Sequence, residues 1–174
     1  MRRTVIAGLD GSPESVAAAG WAAREAMRRG VGLRLLHAAA PAPRGPRTTS
    51  IDLEALGGTS LVRTAEEVRG TFPDLPITVD EVPGQPLPVL FAAAEEAELV
   101  VLGSRGVSAA AGFLLGSVAL TVAGQSTVPV VLVRAGEEPS DEHRLDASGR
   151  PAVVTPYRDV VVGLDLTRAS DSVI

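Results

Sequence analysis

The chain has 174 residues, 45% of them apolar and 21% charged, with a formal net charge of −5. That length suits one well-covered core plus an appendage, and the acidic balance argues against a nucleic-acid surface. No cysteine and no lysine occur, which excludes disulfides, thiol nucleophiles, cysteine-ligated metals and P-loop chemistry.

Residues 4–9 form a short apolar run bounded by Asp10-Gly11-Ser12-Pro13, the pattern of a strand ending in a turn. A helix follows, with Ser12 as N-cap, Pro13 at the first helical position, Glu14 and Ser15 in the first turn and Gly30 as the stop. Its spacing predicts an inner face of Val16, Ala19, Ala23 and Met27. Residues 32–37 read as a second strand. Residues 38–50, rich in Pro, Gly and Ala, read as a mobile loop into a helix over about 52–71, weakened early by Gly57-Gly58. Residues 76–82 alternate apolar and polar, as a strand at or near a sheet edge does. Helices are then expected over 86–96 and 117–125, the most apolar strand over 99–102, and a last strand over 128–133. Strands this apolar, alternating with helices, imply a doubly wound parallel α/β sheet covered on both faces.

Residues 106–133 carry no charge and are long enough to span a bilayer. Glycines at 112, 116 and 124, the polar run Gln125-Ser126-Thr127 and Pro129 divide them instead into loop, helix and strand of a buried core, so no membrane partner is expected. No secretory signal is visible after Met1-Arg2-Arg3.

The most informative stretch is 98–117, where a buried strand runs into Gly103-Ser104-Arg105-Gly106 and, after nine further residues, Gly116-Ser117 opens a helix. Glycines permit close backbone approach, and the first N–H groups of a helix lack internal partners at the positive end of its dipole, so the arrangement suits an anion. The plain alternative is turn punctuation, with Ser117 as an N-cap. On a parallel sheet, ligands lie beyond the carboxyl ends of the strands where strand order reverses. Asp10 and residues 103–106 would face that crevice together.

The combination of Gly8-Leu9-Asp10-Gly11-Ser12-Pro13, Leu102-Gly103-Ser104-Arg105-Gly106, Gly116-Ser117-Val118 and Val128-Pro129-Val130-Val131 resembles the universal stress protein family. The Gly-x2-Gly-x9-Gly-Ser spacing is similar to that of its ATP-binding branch. The resemblance covers about residues 1–135 and implies a Rossmann-like, five-stranded sheet ordered 3-2-1-4-5, with ATP, ADP or AMP as ligand, with or without Mg2+. It implies cofactor contacts at Gly8, Leu9 and Asp10 (ribose or adenine), at backbone groups of Ala38 and Ala39 (adenine edge), and at Leu102 and Gly103 beneath the nucleotide. Gly106 and Gly116 would admit the phosphates, and Ser117 with the Val118 N–H would bind them. Asp10 also reads as a turn-forming residue, and Arg105 as either a phosphate ligand or a solvent-facing side chain. Ala119 departs from relatives that carry a hydroxyl there, which leaves one phosphate contact in doubt.

Hydrolysis needs a positioned base, stabilisation of transition-state charge and normally a metal. The motif segments offer Asp10 as their carboxylate and no lysine, His37 reads as a strand-end residue rather than a base, and His143 lies in an unpatterned stretch. No catalytic residue is therefore assigned. The expectation is an adenine-nucleotide-binding stress-response protein that is cytoplasmic, acts through occupancy and a regulatory partner protein, and has at most weak ATPase activity. The alternatives are a slow hydrolase or phosphotransferase, and a nucleotide-free dimerising scaffold.

After residue 135 the composition turns acidic and polar, as in a flexible linker over 136–157. Residues 158–165 then repeat residues 3–10 at five of eight places, so 158–174 read as the first strand and helix start of a second, incomplete copy of the domain. The edge strand at 128–133 is expected to pair in a homodimer.

Overall fold

The computed structural model describes residues 4–39, 53–105, 116–136, 139–149 and 155–159, with 53–59, 139 and 141 described by backbone alone. It divides into two units, residues 1–136 and 137–174.

In the first unit the elements alternate as β1 (Thr4–Leu9), α1 (Pro13–Arg29), β2 (Gly32–Ala39), α2 (Leu53–Thr71), β3 (Ile77–Pro83), α3 (Pro86–Ala94), β4 (Ala97–Gly103), α4 (Ser117–Gln125) and β5 (Val130–Val133). The strands form one sheet ordered β3-β2-β1-β4-β5, and every neighbouring pair is parallel. Strand order reverses between β1 and β4, which are hydrogen-bonded neighbours at the centre. Both faces are covered, which explains the near-continuous apolar runs of the strands. Val5, Ala7, Leu9, Leu33, Leu35, Leu99 and Val101 pack with α1 and α2. Ile6, Leu36, Val100 and Leu102 pack with Leu90, Ala93 and Ala94 of α3 and Val122 of α4.

The ends of α1 follow from its sequence. Ser12 Oγ accepts from the Ser15 N–H, Pro13 occupies the first turn, and Gly30 closes the helix at φ 66°, with its N–H directed to the carbonyls of Ala26 and Met27. Only glycine adopts that left-handed conformation without strain. The inner face differs from the predicted Val16, Ala19, Ala23, Met27 stripe. Ser15, Ala18, Ala19, Ala22, Ala23 and Ala26 are buried, Val16 is partly buried and Met27 is 45% exposed. A ridge of single methyl groups lets the helix axis approach the sheet closely, and the larger side chains are displaced to its margins.

Element ends differ from expectation where local hydrogen bonding intervenes. Helix α3 stops at Ala94 instead of 96 because the Glu96 N–H turns back to the Ala93 carbonyl. Strand β5 begins at Val130, since Ser126 Oγ accepts from the Val128 N–H and donates to the Val128 carbonyl, forming a turn there, and Pro129 has no N–H to give the ladder. Strand β2 runs on to Ala39, and β4 takes in Ala97, Glu98 and Gly103.

At the far end of α1, Glu25 is buried and meets two arginines, at 2.6 and 2.7 Å from Arg28 and 2.6 Å from Arg29. The Arg28 guanidinium, followed by Arg29, holds its carboxyl below the usual value of 4.5 against the opposing effect of burial.

In the second unit, Pro139–Glu142 is a 3-10 turn and His143 bridges Tyr157 in antiparallel pairing. The Arg144 N–H donates to the Pro156 carbonyl at 2.8 Å and the Arg158 N–H to the Glu142 carbonyl at 2.9 Å, while the His143 and Tyr157 rings lie 4.3 Å apart. This pairing falls in the stretch read from composition as linker. Of residues 158–174, expected as the first strand and helix start of a second copy, residues 160–174 lie outside the described residues.

Candidate functional site at the strand-order reversal

The carboxyl ends of β1, β2 and β4 bring together several residues that the sequence singled out. Leu9 pairs with His37, Ala7 with Val101, and Gly103 with Val133. Asp10 therefore follows β1 where Ala38 continues β2, with Gly103 ending the strand on the other side.

Asp10 is held by its own turn. Its Oδ1 accepts from the Ser12 N–H at 3.0 Å and from the Ser12 hydroxyl at 2.6 Å. Ser12 Oγ accepts in turn from the Ser15 N–H at 3.2 Å, and the Ser15 hydroxyl donates to the Ser12 carbonyl at 2.9 Å. Ser12 and Ser15 are both buried. The carboxylate is thus an Asx-turn acceptor, oriented before any ligand arrives. His37 Nδ1 lies 2.8 Å from the Leu9 carbonyl, so this nitrogen carries the proton. Its Nε2 is buried with no hydrogen-bond partner among the described residues.

The glycines serve different ends. A Cβ on Gly8 would lie 2.6 Å from Leu102 Cδ2 and 3.3 Å from Leu90 Cδ2, so the space a side chain would fill already belongs to the core leucines. A Cβ on Gly103 would lie 2.8 Å from the carbonyl carbon of Glu14 and 2.9 Å from the Ser15 nitrogen. Gly103 therefore lets the start of α1 lie directly against the end of β4. Leu102, 5% exposed, faces the α3 and α4 side, and the Ala39 carbonyl accepts from the Gly84 N–H at 2.8 Å.

Beyond β4, the buried Ser104 donates its N–H to the Val133 carbonyl at 2.7 Å and accepts at its own carbonyl from the Gly116 N–H at 2.9 Å. This bond brings the entrance of α4 back to the end of β4. Gly116 is the N-cap of α4, with φ −61° and ψ 143°, and among the described residues no side chain caps the helix. Ser117 is thus the first helical residue rather than the cap, and it is exposed. Val118 packs partly against the core, and Ala119 is buried. Gly106 lies outside the described residues. Arg105, the single charged residue between Gly103 and Ser117, directs Nη2 to Glu14 Oε1 at 3.2 Å. Sequence reasoning took Glu14 only as a first-turn acid, and no spacing rule links it to a residue so remote in the chain. Among the described residues no group of three His, Asp or Glu is placed to hold a metal ion, and no helix is long and apolar enough to cross a membrane.

The fold and this crevice define a doubly wound α/β domain in which the glycine-capped entrance of α4 is bonded to the end of β4, beside the strand-order reversal. The family model described as the universal stress protein family matches residues 1–134, and the chain belongs to that family. A universal stress protein of Mycolicibacterium smegmatis is 38% identical over 137 residues, covering 76% of this chain and 46% of the relative. The chain spans about half the length of the curated relatives it matches. Among solved structures, a universal stress protein in complex with cAMP is 28% identical, covers 78% of this chain and 99% of its own, and superposes with a TM-score of 0.60. The Archaeoglobus fulgidus universal stress protein in complex with dAMP shares the fold at a TM-score of 0.55 and 23% identity, covering 75% of this chain and 97% of its own.

Proposed function

We propose that this chain is an adenine-nucleotide-binding module that acts by occupancy rather than turnover. The observation that carries the reading is the entrance of α4. Its cap is a glycine that offers no side-chain acceptor, and it is tied by Ser104 to the end of β4 at the strand-order reversal. An external phosphate is the natural acceptor for the N–H groups of Ser117 and Val118. The cAMP complex of a relative 28% identical to this chain supports an adenylate there.

In this reading Asp10, fixed by Ser12, accepts from the ribose hydroxyls, and the backbone at Ala38 and Ala39 meets the adenine edge. Leu102 and Gly103 floor the site, Gly106 and Gly116 leave room for phosphates, and Arg105 offers them a cation. ATP, ADP and AMP all fit this scheme, and Mg2+ would enter with the phosphates. Asp10 already accepts two hydrogen bonds from Ser12, and His37 Nε2, the ring nitrogen left with a lone pair, is buried away from solvent, so neither is poised to activate a water, and hydrolysis is at most slow.

Thermal unfolding with and without millimolar ATP and Mg2+, together with mass spectrometry of the purified protein, tests the reading. A rise of several degrees or a co-purified adenylate is expected. No shift and no carried nucleotide would refute it. We further propose a cytoplasmic homodimer paired through β5, an edge strand, and a tandem arrangement of a domain over 1–135, a linker over 136–157 and a second repeat from residue 158. Sedimentation velocity checks the pairing, which a monomer at all concentrations would exclude. Limited proteolysis checks the linker, which resistance of 136–157 to cleavage would exclude.

A further inference from the structure

We infer that Glu14 is an internal counter-ion that nucleotide phosphates displace from Arg105, and that this exchange lets the crevice discriminate adenylates by phosphate charge. The inference rests on the adenine-nucleotide reading and adds a specificity device to it.

Arg105 stands two residues past the end of β4, and Glu14 is the second residue of α1. They meet across the crevice because Gly103 allows the backbone of Glu14 and Ser15 to lie against β4. Their single-pronged contact is 3.2 Å long, whereas Arg28 grips Glu25 with two donors at 2.6 and 2.7 Å. The Arg105 side chain is 43% exposed and that of Glu14 13% exposed. The guanidinium is therefore the partner able to move, and it holds further N–H donors for another anion.

Two features make the exchange inexpensive. Arg105 directly follows Ser104, whose carbonyl receives the Gly116 N–H, so the cation is rooted beside the α4 entrance where phosphates would lie. Glu14, once released, remains in the first turn of α1, where the positive end of the helix dipole still favours its charge. A phosphate carries more charge than a carboxylate and accepts paired donors from a guanidinium, so it competes effectively. Adenosine, without phosphate, leaves the pair intact.

Calorimetric titration of adenosine, AMP, ADP and ATP into the wild type, Glu14→Gln, Arg105→Gln and the double variant tests the exchange, with circular dichroism confirming that each is folded. Glu14→Gln should tighten ATP about three- to fivefold and leave adenosine within about twofold. Arg105→Gln should weaken ATP about tenfold or more and compress the spread between ATP and adenosine. In the Arg105→Gln background, Glu14→Gln should no longer tighten ATP. A gain that persists there would reduce Glu14 to simple charge repulsion and overturn the exchange, as would an ATP-to-adenosine ratio unmoved by either substitution. If the wild type binds all four ligands and only these ratios fail, the exchange falls and the nucleotide reading stands. If it binds none, both fall.

Discussion

At the junction of β1 with α1, the helix terminus is closed from within: Ser12 caps the Ser15 N–H, and Asp10 is bound to Ser12. At the junction of β4 with α4, the terminus is held in place by the backbone bond from Gly116 to Ser104, and its cap residue has no side chain. Both junctions face the same end of the same sheet, yet one supplies its own side-chain acceptor and the cap residue of the other supplies none.

The largest effect should come from forcing the two junctions apart. A Cβ on Gly103 would press on backbone atoms of Glu14 and Ser15, which cannot rotate away. Gly103→Val should lose about 3 kcal/mol in urea unfolding. Gly8→Ala, whose added methyl meets side-chain ends of Leu102 and Leu90 rather than backbone, should lose about 1 kcal/mol. Equal losses would mean that α1 is not seated on Gly103.

A second change removes the contrast directly. Gly116→Asp gives α4 a cap like that of α1 at a residue whose φ of −61° any side chain tolerates. Stability should hold or rise by a few tenths of a kcal/mol, while ATP affinity falls about tenfold or more because a carboxylate occupies the phosphate position. Wild-type ATP binding in a folded Gly116→Asp protein would dismiss the open terminus as the phosphate site.

The smallest expected effect belongs to the opposite end of α1, remote from the crevice. The Glu25 carboxyl is held below its usual 4.5 by Arg28 and Arg29, so the unfolded chain takes up its proton first as pH drops. The contribution of Glu25 is therefore complete above about 4.5 and is lost as pH falls through the lower folded value. Acid unfolding midpoints should shift less with pH in Glu25→Gln than in the wild type. Parallel curves for the two proteins would show that the cluster is not a source of stability.

Much of this architecture is legible in the residues. The caps of α1 are written in Ser12, Pro13 and Gly30, and the resemblance supplied the strand order that the sheet adopts. Misplaced features share one cause, since tertiary packing or a local hydrogen bond overrides spacing. Met27 fits a helical stripe by number, but alanines alone allow the close approach that the sheet requires. Val128 fits a strand by composition, but Ser126 turns it. The crevice was legible as two separate motifs, and Gly106 lies outside the described residues. The pairing of Glu14 with Arg105 was not legible, because it depends on how closely α1 is seated on β4.

The bond between Gly116 and Ser104 has an architectural consequence. Ser104 is bonded through its N–H to Val133 of β5 and through its carbonyl to Gly116, so one residue registers the entrance of α4 against two strands. The seating of α4 on the sheet is thus set by backbone groups, whichever side chains stand at its entrance.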